Sequence, residues 1–554
     1  MTKEEVKSII PFIENSIRDN WERPALTNFR GVSYQYRDVA RKIAKLHLLF
    51  EYAGLKRGER IALCGRNSAQ WGTAMLAIVT YGCVAVPILP DFKPDSIHHL
   101  VCHSDARLLM ADNSIWENLD PSQMPGIGGV MRVADFTVLY SRSDALSAAR
   151  SRLNELFGCR YPERFTPADV KYFRPDPSDL MLINYTSGST GFSKGVMLSH
   201  KALWSNVVFS QESIGWLKAG DPVVSLLPLG HMYGLTVELF YPVCTGCHIT
   251  FLTRTPAPRI IMEAMADIQP KFISAVPLVV EKIIRTRILP MFDRRLVRML
   301  LHVPGFDTRV LARVREALIN AFGGNVRELM VGGASLNREI EELLLRIGFP
   351  YANGYGMTEC GPFIAYMSTR HDVRTGSCGR PADRMEFRID TSDPATVPGV
   401  LWVRGDNLMD GYFKNPEATE AVMRDGWMCT GDVCTIDADG YLFIRGRDKN
   451  MILGANGQNI YPEEIESKLN NMPYVAESII VDEDGRLVAL VYPDFTAARE
   501  QGLDAAALEA ALRENLVTLN AELPGYSRVA DVRIYQEEFE KTAKRSIKRY
   551  LYKA

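Results

Sequence analysis

Tyr185-Thr186-Ser187-Gly188-Ser189-Thr190-Gly191-Phe192-Ser193-Lys194-Gly195 packs hydroxyls, glycines and a single lysine into one short stretch. The apolar run Leu182-Ile183-Asn184-Tyr185 leads into it and reads as a buried strand. Glycines let a backbone approach a ligand closely. Successive N–H groups then form a concave anion nest, to which the hydroxyls add donors. Lys194 supplies a movable positive charge, and the whole suits a polyphosphate. The stretch is not a Walker A loop, which needs Gly-Lys followed by Ser or Thr, because Gly195 follows Lys194. Read alone, a Gly/Ser-rich loop is also an ordinary flexible connection. The rest of the chain decides between the two.

Outward from the loop, short apolar runs alternate with amphipathic stretches through the first 350 or so residues. Arg60–Cys64 reads as a strand, Gln70–Tyr81 as a helix and Val84–Ile88 as the next strand; Pro222–Leu227 and His248–Leu252 continue the pattern. Such alternation predicts parallel sheets with helices on both faces, and ligands at the carboxyl ends of the strands. Residues 113–178 are polar and punctuated by proline, and read as an elaboration without an assigned role. After about residue 375, Phe387–Asp390, Gly399–Val403 and Tyr441–Ile444 lie between Gly/Asp/Asn turns and predict a small β subdomain. From about residue 450 a compact α+β unit is expected: a helix over Pro462–Asn470, strands at Ser478–Val481 and Leu487–Tyr492, and a long helix over Ala505–Leu519. The fold class expected is therefore α/β. A large N-terminal domain of two doubly wound α/β subdomains and a small β subdomain spans 1–447, and a small mobile α+β C-terminal domain spans 448–554.

Composition bounds the function. The 554 residues, 47% hydrophobic and 23% charged, are ordinary for a multi-domain globular chain. A formal net charge of -2 gives no global basic surface, so nucleic acid is not expected as a partner and an anionic ligand needs a local site. The N-terminus lacks the apolar core of a signal peptide and no run approaches a membrane span, which with scattered cysteines points to the cytoplasm. Cys244 and Cys247 form one C-x-x-C in a segment that reads as strand, turn, strand. No second pair completes a zinc site, and structural cysteines are expected.

Four more motifs accompany the loop: Pro228-Leu229-Gly230-His231-Met232-Tyr233-Gly234, Gly354-Tyr355-Gly356-Met357-Thr358-Glu359, Thr430-Gly431-Asp432 and Gly446-Arg447. In this order they make the chain resemble the adenylate-forming superfamily of acyl-CoA synthetases, firefly luciferase and peptide-synthetase adenylation domains. The resemblance covers nearly the whole chain. It implies ATP and Mg²⁺ as cofactors and coenzyme A as co-substrate. Thr186, Ser187, Gly188, Ser189, Thr190, Gly191 and Lys194 then match the phosphate loop, His231 the acid side, and Tyr355, Gly356 and Thr358 the adenine motif. Glu359 is the expected metal ligand, and Asp432 with Arg447 the ribose contact.

The chemistry accounts for these residue types. A carboxylate must attack the α-phosphorus of ATP and expel pyrophosphate, and both partners are anions. Catalysis is then positioning and charge neutralisation. Mg²⁺ prefers carboxylate, phosphate and water oxygens, which suits Glu359; a lone glutamate in a turn is otherwise a solvated charge. Tyr355 offers a face for adenine, and Gly333 and Ala334, after the strand at Glu328–Val331, allow close backbone approach. Asp432 can accept from both ribose hydroxyls, or merely form an Asx turn. His231 is assigned to orient the acid, since a carboxylate nucleophile is already ionised at pH 7 and needs no base.

Further along, the resemblance places Lys449 at a hinge and Gly457 beside a pantetheine tunnel. The small domain is expected to swing between an adenylating and a thioester-forming pose. The family's late catalytic lysine is replaced: Ser546 stands at its position, with Lys544 and Lys548 two residues to either side. Positions two apart in an extended segment face the same way, so either lysine can substitute. Trp204, Phe209, Met232, Tyr233, Val276 and Phe363 are candidates for an apolar lining, or for plain core. The substrate expected is a fatty acid, taken with ATP and coenzyme A to acyl-CoA. A carrier-protein thiol as acceptor, a non-catalytic relative and peripheral contact at the inner membrane face stay open at this point.

Overall fold

A computed structural model describes residues 7–186, 193–253, 258–292, 307–454, 458–541 and 547–552. The chain forms two compact units. The first comprises Met1–Thr186, Ser193–Glu386 and Arg404–Gly426, and the second is built on Phe387–Val403 and Trp427–Ala554. The expected boundary at 447/448 falls inside the second unit.

Among the described residues the first unit carries two large mixed sheets. In one, the parallel strands run in the order Tyr351–Gly356, Glu328–Gly332, Phe272–Ala275, Pro222–Ser225, His248–Phe251 and Pro24–Asn28. In the other, Leu180–Thr186, Val84–Ile88, Arg60–Cys64, Ala106–Ala111 and Gly129–Arg132 are parallel. Antiparallel strands flank both, among them Lys194–Ser199 beside Leu180–Thr186 and the two-residue strand Gly411–Tyr412 beside that. Parallel strands need crossovers and cover on both faces, which explains their near-continuous apolar runs.

Helix Ala69–Tyr81 shows how the sheets are joined. Ser68 Oγ accepts from Trp71 N at its start, and Gly82, at φ +93°, closes its end. Its residues from Trp71 to Thr80 are buried on every side, as expected of a helix apolar all round. A Cβ on Gly72 would lie 3.3 Å from Leu239, 3.4 Å from Phe251 and 3.5 Å from Leu26, so the helix backbone is pressed against the sheet that contains Phe251 and Leu26. It follows the strand Arg60–Cys64 of the other sheet, so one helix seals two sheets.

Two readings change. Tyr241-Cys244-Cys247 is not strand, turn, strand: Tyr241–Thr245 is helical, Gly246 closes it at φ +83°, and only His248–Phe251 is a strand. A short apolar run cannot be told from a buried helix by periodicity. Burial pushes both thiols well above the usual range, which fits structural cysteines. The stretch 113–178 also contributes strands Gly129–Arg132 and Val138–Ser141 to the second sheet, and its helices pack on Tyr36–Tyr52.

In the second unit, strands Gly399–Gly405, Trp427–Ile436 and Leu442–Arg447 pair antiparallel. A separate sheet of Val475–Glu483, Arg486–Pro493 and Val529–Ile534 carries helices Pro462–Leu469 and Ala505–Glu522 over a core of Ile465, Ile480, Leu490's neighbour Ala489, Leu512 and Val532. These elements match the expected ones within a few residues.

Candidate active site

The expected acid and adenine motifs share one edge because their strands run parallel in one sheet, with Glu328–Gly332 and Phe272–Ala275 between them. His231 follows the strand Pro222–Ser225, Gly333 and Ala334 follow Glu328–Gly332, and Thr358 and Glu359 follow Tyr351–Gly356, all at one carboxyl edge. Tyr355 and Gly356 end the last of these strands. A Cβ on Gly356 would stand 1.9 Å from the Pro362 carbonyl oxygen, so only glycine fits where the strand turns back. Gly333 sits at φ +85° and is exposed, the left-handed turn that opens the loop after its strand.

Glu359 lies on the single turn Thr358–Cys360 and is 8% exposed. Buried amides and a hydroxyl hold that turn. Asn206 donates to Cys360 O at 3.0 Å and accepts from Phe363 N at 2.9 Å, Thr236 Oγ1 donates to Gly361 O at 3.0 Å, and Asn407 donates to Phe363 O at 2.8 Å. Tyr412 donates its phenol to Glu359 Oε1 at 3.0 Å. Burial, and then the Glu359 charge, push that phenol well above the usual tyrosine range, so it stays a donor.

The same ring reaches the phosphate loop. Lys194 Nζ stands 4.8 Å above the Tyr412 ring centroid. Lys194 is the strand partner of Thr186, and Phe413 N donates to Gly195 O at 2.7 Å. Lysine, tyrosine and glutamate therefore form one chain of contacts, from the loop's closing strand in one sheet to the carboxyl edge of the other. Ser187, Gly188, Ser189, Thr190 and Gly191 lie outside the described residues. A second link runs to the acid side: Asn184 donates to Gly230 O at 2.9 Å, and Asn67 accepts from Leu229 N at 2.9 Å. His231 is partly exposed at the start of the helical run 232–245. Tyr233 donates to Met330 O at 3.1 Å, and its ring lies 3.1 Å from where a Gly332 Cβ would be.

Of the suggested apolar lining, Trp204, Phe209, Met232 and Phe363 are core residues; Phe209 and Phe363 stack edge-on at 5.2 Å. Val276 is 36% exposed, after the strand Phe272–Ala275.

In the second unit, Asp432 and Arg447 face each other across adjacent strands, with Arg447 Nε 2.6 Å from Asp432 Oδ1. Asp432 is 4% exposed. Gly431, at φ +71°, turns it out of the regular strand, while Thr430 Oγ1 accepts from Asp432 N and donates to Leu401 O. Lys548 Nζ is 3.0 Å from Glu540, and Arg549 pairs with the buried Glu466. Lys544, Ser546 and Gly457 lie outside the described residues.

The donor set suits magnesium bound with a nucleotide. No cluster of three or more His, Cys, Asp or Glu that could cage an ion occurs among the described residues. Glu359 is one carboxylate with an oxygen not taken by Tyr412, and Mg²⁺ is usually bound through one or two carboxylates, waters and substrate phosphates. Tyr412, Asn67, Asn184 and Asn206 were missed in the sequence. None lies in a chemical motif, and only their place in the fold gives them a role.

No helix among the described residues is long and apolar enough to cross a membrane. The AMP-binding enzyme family matches residues 13–413. Long-chain-fatty-acid–CoA ligases from Yersinia pestis and Escherichia coli O157:H7 are 28% and 26% identical over 504 and 502 residues, covering 86% and 85% of this chain and 82% of each relative. A probable chloroplastic acyl-activating enzyme 16 from Arabidopsis thaliana is 26% identical over 92% of this chain and 78% of its own. Among solved structures, ATP-bound MatB from Rhodopseudomonas palustris superposes with a TM-score of 0.76 at 22% identity, covering 99% of this chain and 98% of its own. The anthranilate CoA ligase AuaEII, in complex with anthranoyl-AMP, does so at 0.77 and 20%, covering 100% and 98%. The fold is theirs, and by the match over residues 13–413 this chain belongs to the AMP-binding enzyme family of adenylate-forming enzymes.

Proposed function

We propose that the protein activates a carboxylic acid, a medium- or long-chain fatty acid, with ATP, and passes the acyl group to coenzyme A. The observation that carries this reading is the chain of contacts Lys194–Tyr412–Glu359 at the carboxyl edge that also bears His231. The fatty-acid assignment rests on the long-chain ligases at 26–28% identity. Related folds serve other acids, such as the anthranilate ligase.

In the first step a carboxylate oxygen bonds to the α-phosphorus as the bond to the bridging oxygen of pyrophosphate breaks. Lys194 and the hydroxyl loop neutralise the phosphates, and His231 orients the acid. Asp432, steadied by Arg447, accepts from the ribose, and Tyr355 and Gly356 border the base beside Gly333 and Ala334. Glu359 would hold Mg²⁺, which when bound offsets charge on the phosphate oxygens. Lys544 or Lys548 supplies the remaining cation in place of Ser546. In the second step the thiol sulfur bonds to the acyl carbon, AMP leaves and the thiol proton passes to solvent. Gly457 borders the thiol's path. A domain 448–554, hinged near Lys449, moves between the steps, and the reaction runs in the cytoplasm.

ATP–pyrophosphate exchange with a panel of carboxylates tests the reading, followed by addition of coenzyme A or a phosphopantetheinylated carrier. Exchange with C8–C18 acids and thioester formed on coenzyme A are expected. No exchange with any acid would leave a non-catalytic relative, and transfer only to the carrier would replace coenzyme A as acceptor.

A further inference from the structure

Glu238 is a carboxyl group that no motif uses. It lies at the centre of the π-helical turn Leu235–Phe240 and is 0% exposed. Such turns are rare and gather at functional sites. Its surroundings are apolar: Leu235, Val237, Leu239 and Phe240 are all 0–1% exposed. A carboxyl group placed there carries a large desolvation penalty unless its oxygens are met by donors.

Donors from two strands and the loop after one of them meet both oxygens. Ser225 Oγ donates to Oε2 at 2.9 Å, Ser274 Oγ donates to Oε1 at 2.5 Å, and Leu227 N reaches both oxygens at 3.0 and 3.2 Å. Ser225 and Ser274 belong to adjacent parallel strands at the edge from which His231 follows. Leu227 is in the loop between that edge and His231. Asn67, from the other sheet, binds the same loop, donating to Ser225 Oγ at 3.1 Å and to Leu227 O at 2.6 Å. The π turn is what brings this contact about. It widens the helix by one residue per turn and presents Glu238 to strand ends and a loop that lie before the helix begins.

We infer that Glu238 is a positioning residue for the acid half of the reaction: it pins residues 225–227 to the helix and thereby fixes the loop that leads to His231, where the substrate carboxylate is oriented. The inference rests on the proposed adenylation for its kinetic consequence, but its structural consequence is independent of any substrate. The turn 358–363 touches the π turn through Thr236, but Tyr412, Asn206 and Asn407 hold it from elsewhere, so losing Glu238 should act chiefly on the acid side.

The test compares the full-length wild type with Glu238→Ala and Glu238→Gln. Amide hydrogen exchange is followed in peptides covering 225–231 and, as a reference, 358–363; ATP–pyrophosphate exchange gives KM for acid and for ATP. In Glu238→Ala, exchange at 225–231 is expected to rise at least about tenfold with 358–363 unchanged. The acid kcat/KM should fall about 10- to 100-fold while KM for ATP stays within about twofold. Glu238→Gln, which keeps the shape and most hydrogen bonds, should restore protection and activity to within about threefold. If Glu238→Ala does not fold, Ser274→Ala, which removes one donor and keeps the carboxyl, takes its place with the same expected signs. Unchanged protection at 225–231, or equal rises in the two KM values, overturns the inference. A wild type that shows no pyrophosphate exchange overturns the proposed function instead, and the hydrogen-exchange arm still decides the role of Glu238.

Discussion

The turn Thr358–Cys360 and the π turn Leu235–Phe240 each present one buried glutamate at the same sheet edge, and they use it in opposite ways. Glu238 is fully enclosed, with both oxygens engaged by donors that include Ser225, Ser274 and Leu227. Glu359 keeps an 8% window to solvent, and among the described residues its side-chain donor is Tyr412, which takes a single oxygen. A carboxyl group satisfied by its own fold has nothing left for a ligand. One held by a single oxygen is oriented and still available. That difference is why Glu238 is read as a pin and Glu359 is proposed as a binding group, and substitutions at the two turns should separate them in experiment.

The largest effect is expected from Glu359→Gln. The amide keeps the Tyr412 contact through its carbonyl and loses the charge. Pyrophosphate exchange should fall by about 10²- to 10³-fold. Half-saturation by Mg²⁺ should move up, and calorimetry should show weaker binding of Mg·ATP with the acid's KM little changed. An unchanged Mg²⁺ requirement would remove Glu359 from metal binding.

Gly356→Ala is next, and it acts on the frame of the same turn. The added methyl group would stand 1.9 Å from a backbone oxygen, and the neighbour cannot rotate away. Strain of about 1–3 kcal/mol is expected as a lower denaturation midpoint. Pyrophosphate exchange should fall with it, because the shift propagates into Thr358 and Glu359. The matching change at Gly72, whose nearest neighbours are side-chain tips at 3.3–3.5 Å, should cost less.

A smaller loss is expected from Tyr412→Phe. Removing the hydroxyl frees Glu359 Oε1 but leaves the ring under Lys194, so about a 3- to 30-fold fall in exchange is expected, with the Mg²⁺ dependence shifted in the same direction as in Glu359→Gln. Tyr412→Leu, which also removes the cation–π contact, should in addition raise KM for ATP. Equal behaviour of the two variants would show that the ring contributes nothing to Lys194.

Glu359 and Glu238 also mark how far the sequence could be read. Parallel α/β architecture is visible in the alternation of apolar runs, and the flanking glycines and Thr358 single out Glu359, whose metal role stays a proposal. Asp432 and Arg447 were also picked out, and they form a contact that pairing of adjacent strands brings about. Glu238 was passed over because its partners, Ser225 and Ser274, come from two different strands, and serine–glutamate contacts across strands leave no local pattern. A lone acid inside the apolar run Leu235–Phe240 was the one signal available. Tyr412 was missed for the same reason: its roles arise only when the two-residue strand Gly411–Tyr412 pairs with Lys194–Ser199. The strand reading of Tyr241–Thr245 is overturned because a five-residue run with Tyr241, Pro242 and Val243 buried is too short for its periodicity to tell helix from strand.

The smallest effect, and the one that most sharpens the contrast, is the pH dependence of Glu238→Gln. Burial pushes Glu238 up from the usual 4.5 to about 8, and hydrogen bonds from Ser274, Ser225, Leu226 and Leu227 only partly offset this. The folded protein thus retains a proton that the unfolded chain has released once pH exceeds about 4.5. The stabilisation given by the neutral form is complete below that value and is lost as pH rises through about 8. Glutamine is neutral at every pH and does not lose it. The melting temperature of Glu238→Gln relative to wild type should therefore climb by a few degrees between pH 6 and pH 9, whatever its sign at pH 6. Tyr233 is the titratable neighbour, and the charge on Glu238 raises its phenol further, so it does not ionise within this window. A difference in melting temperature that stays flat from pH 6 to pH 9 would mean that Glu238 is held as a carboxylate by Ser225, Ser274 and Leu227, and the pin would then be ionic.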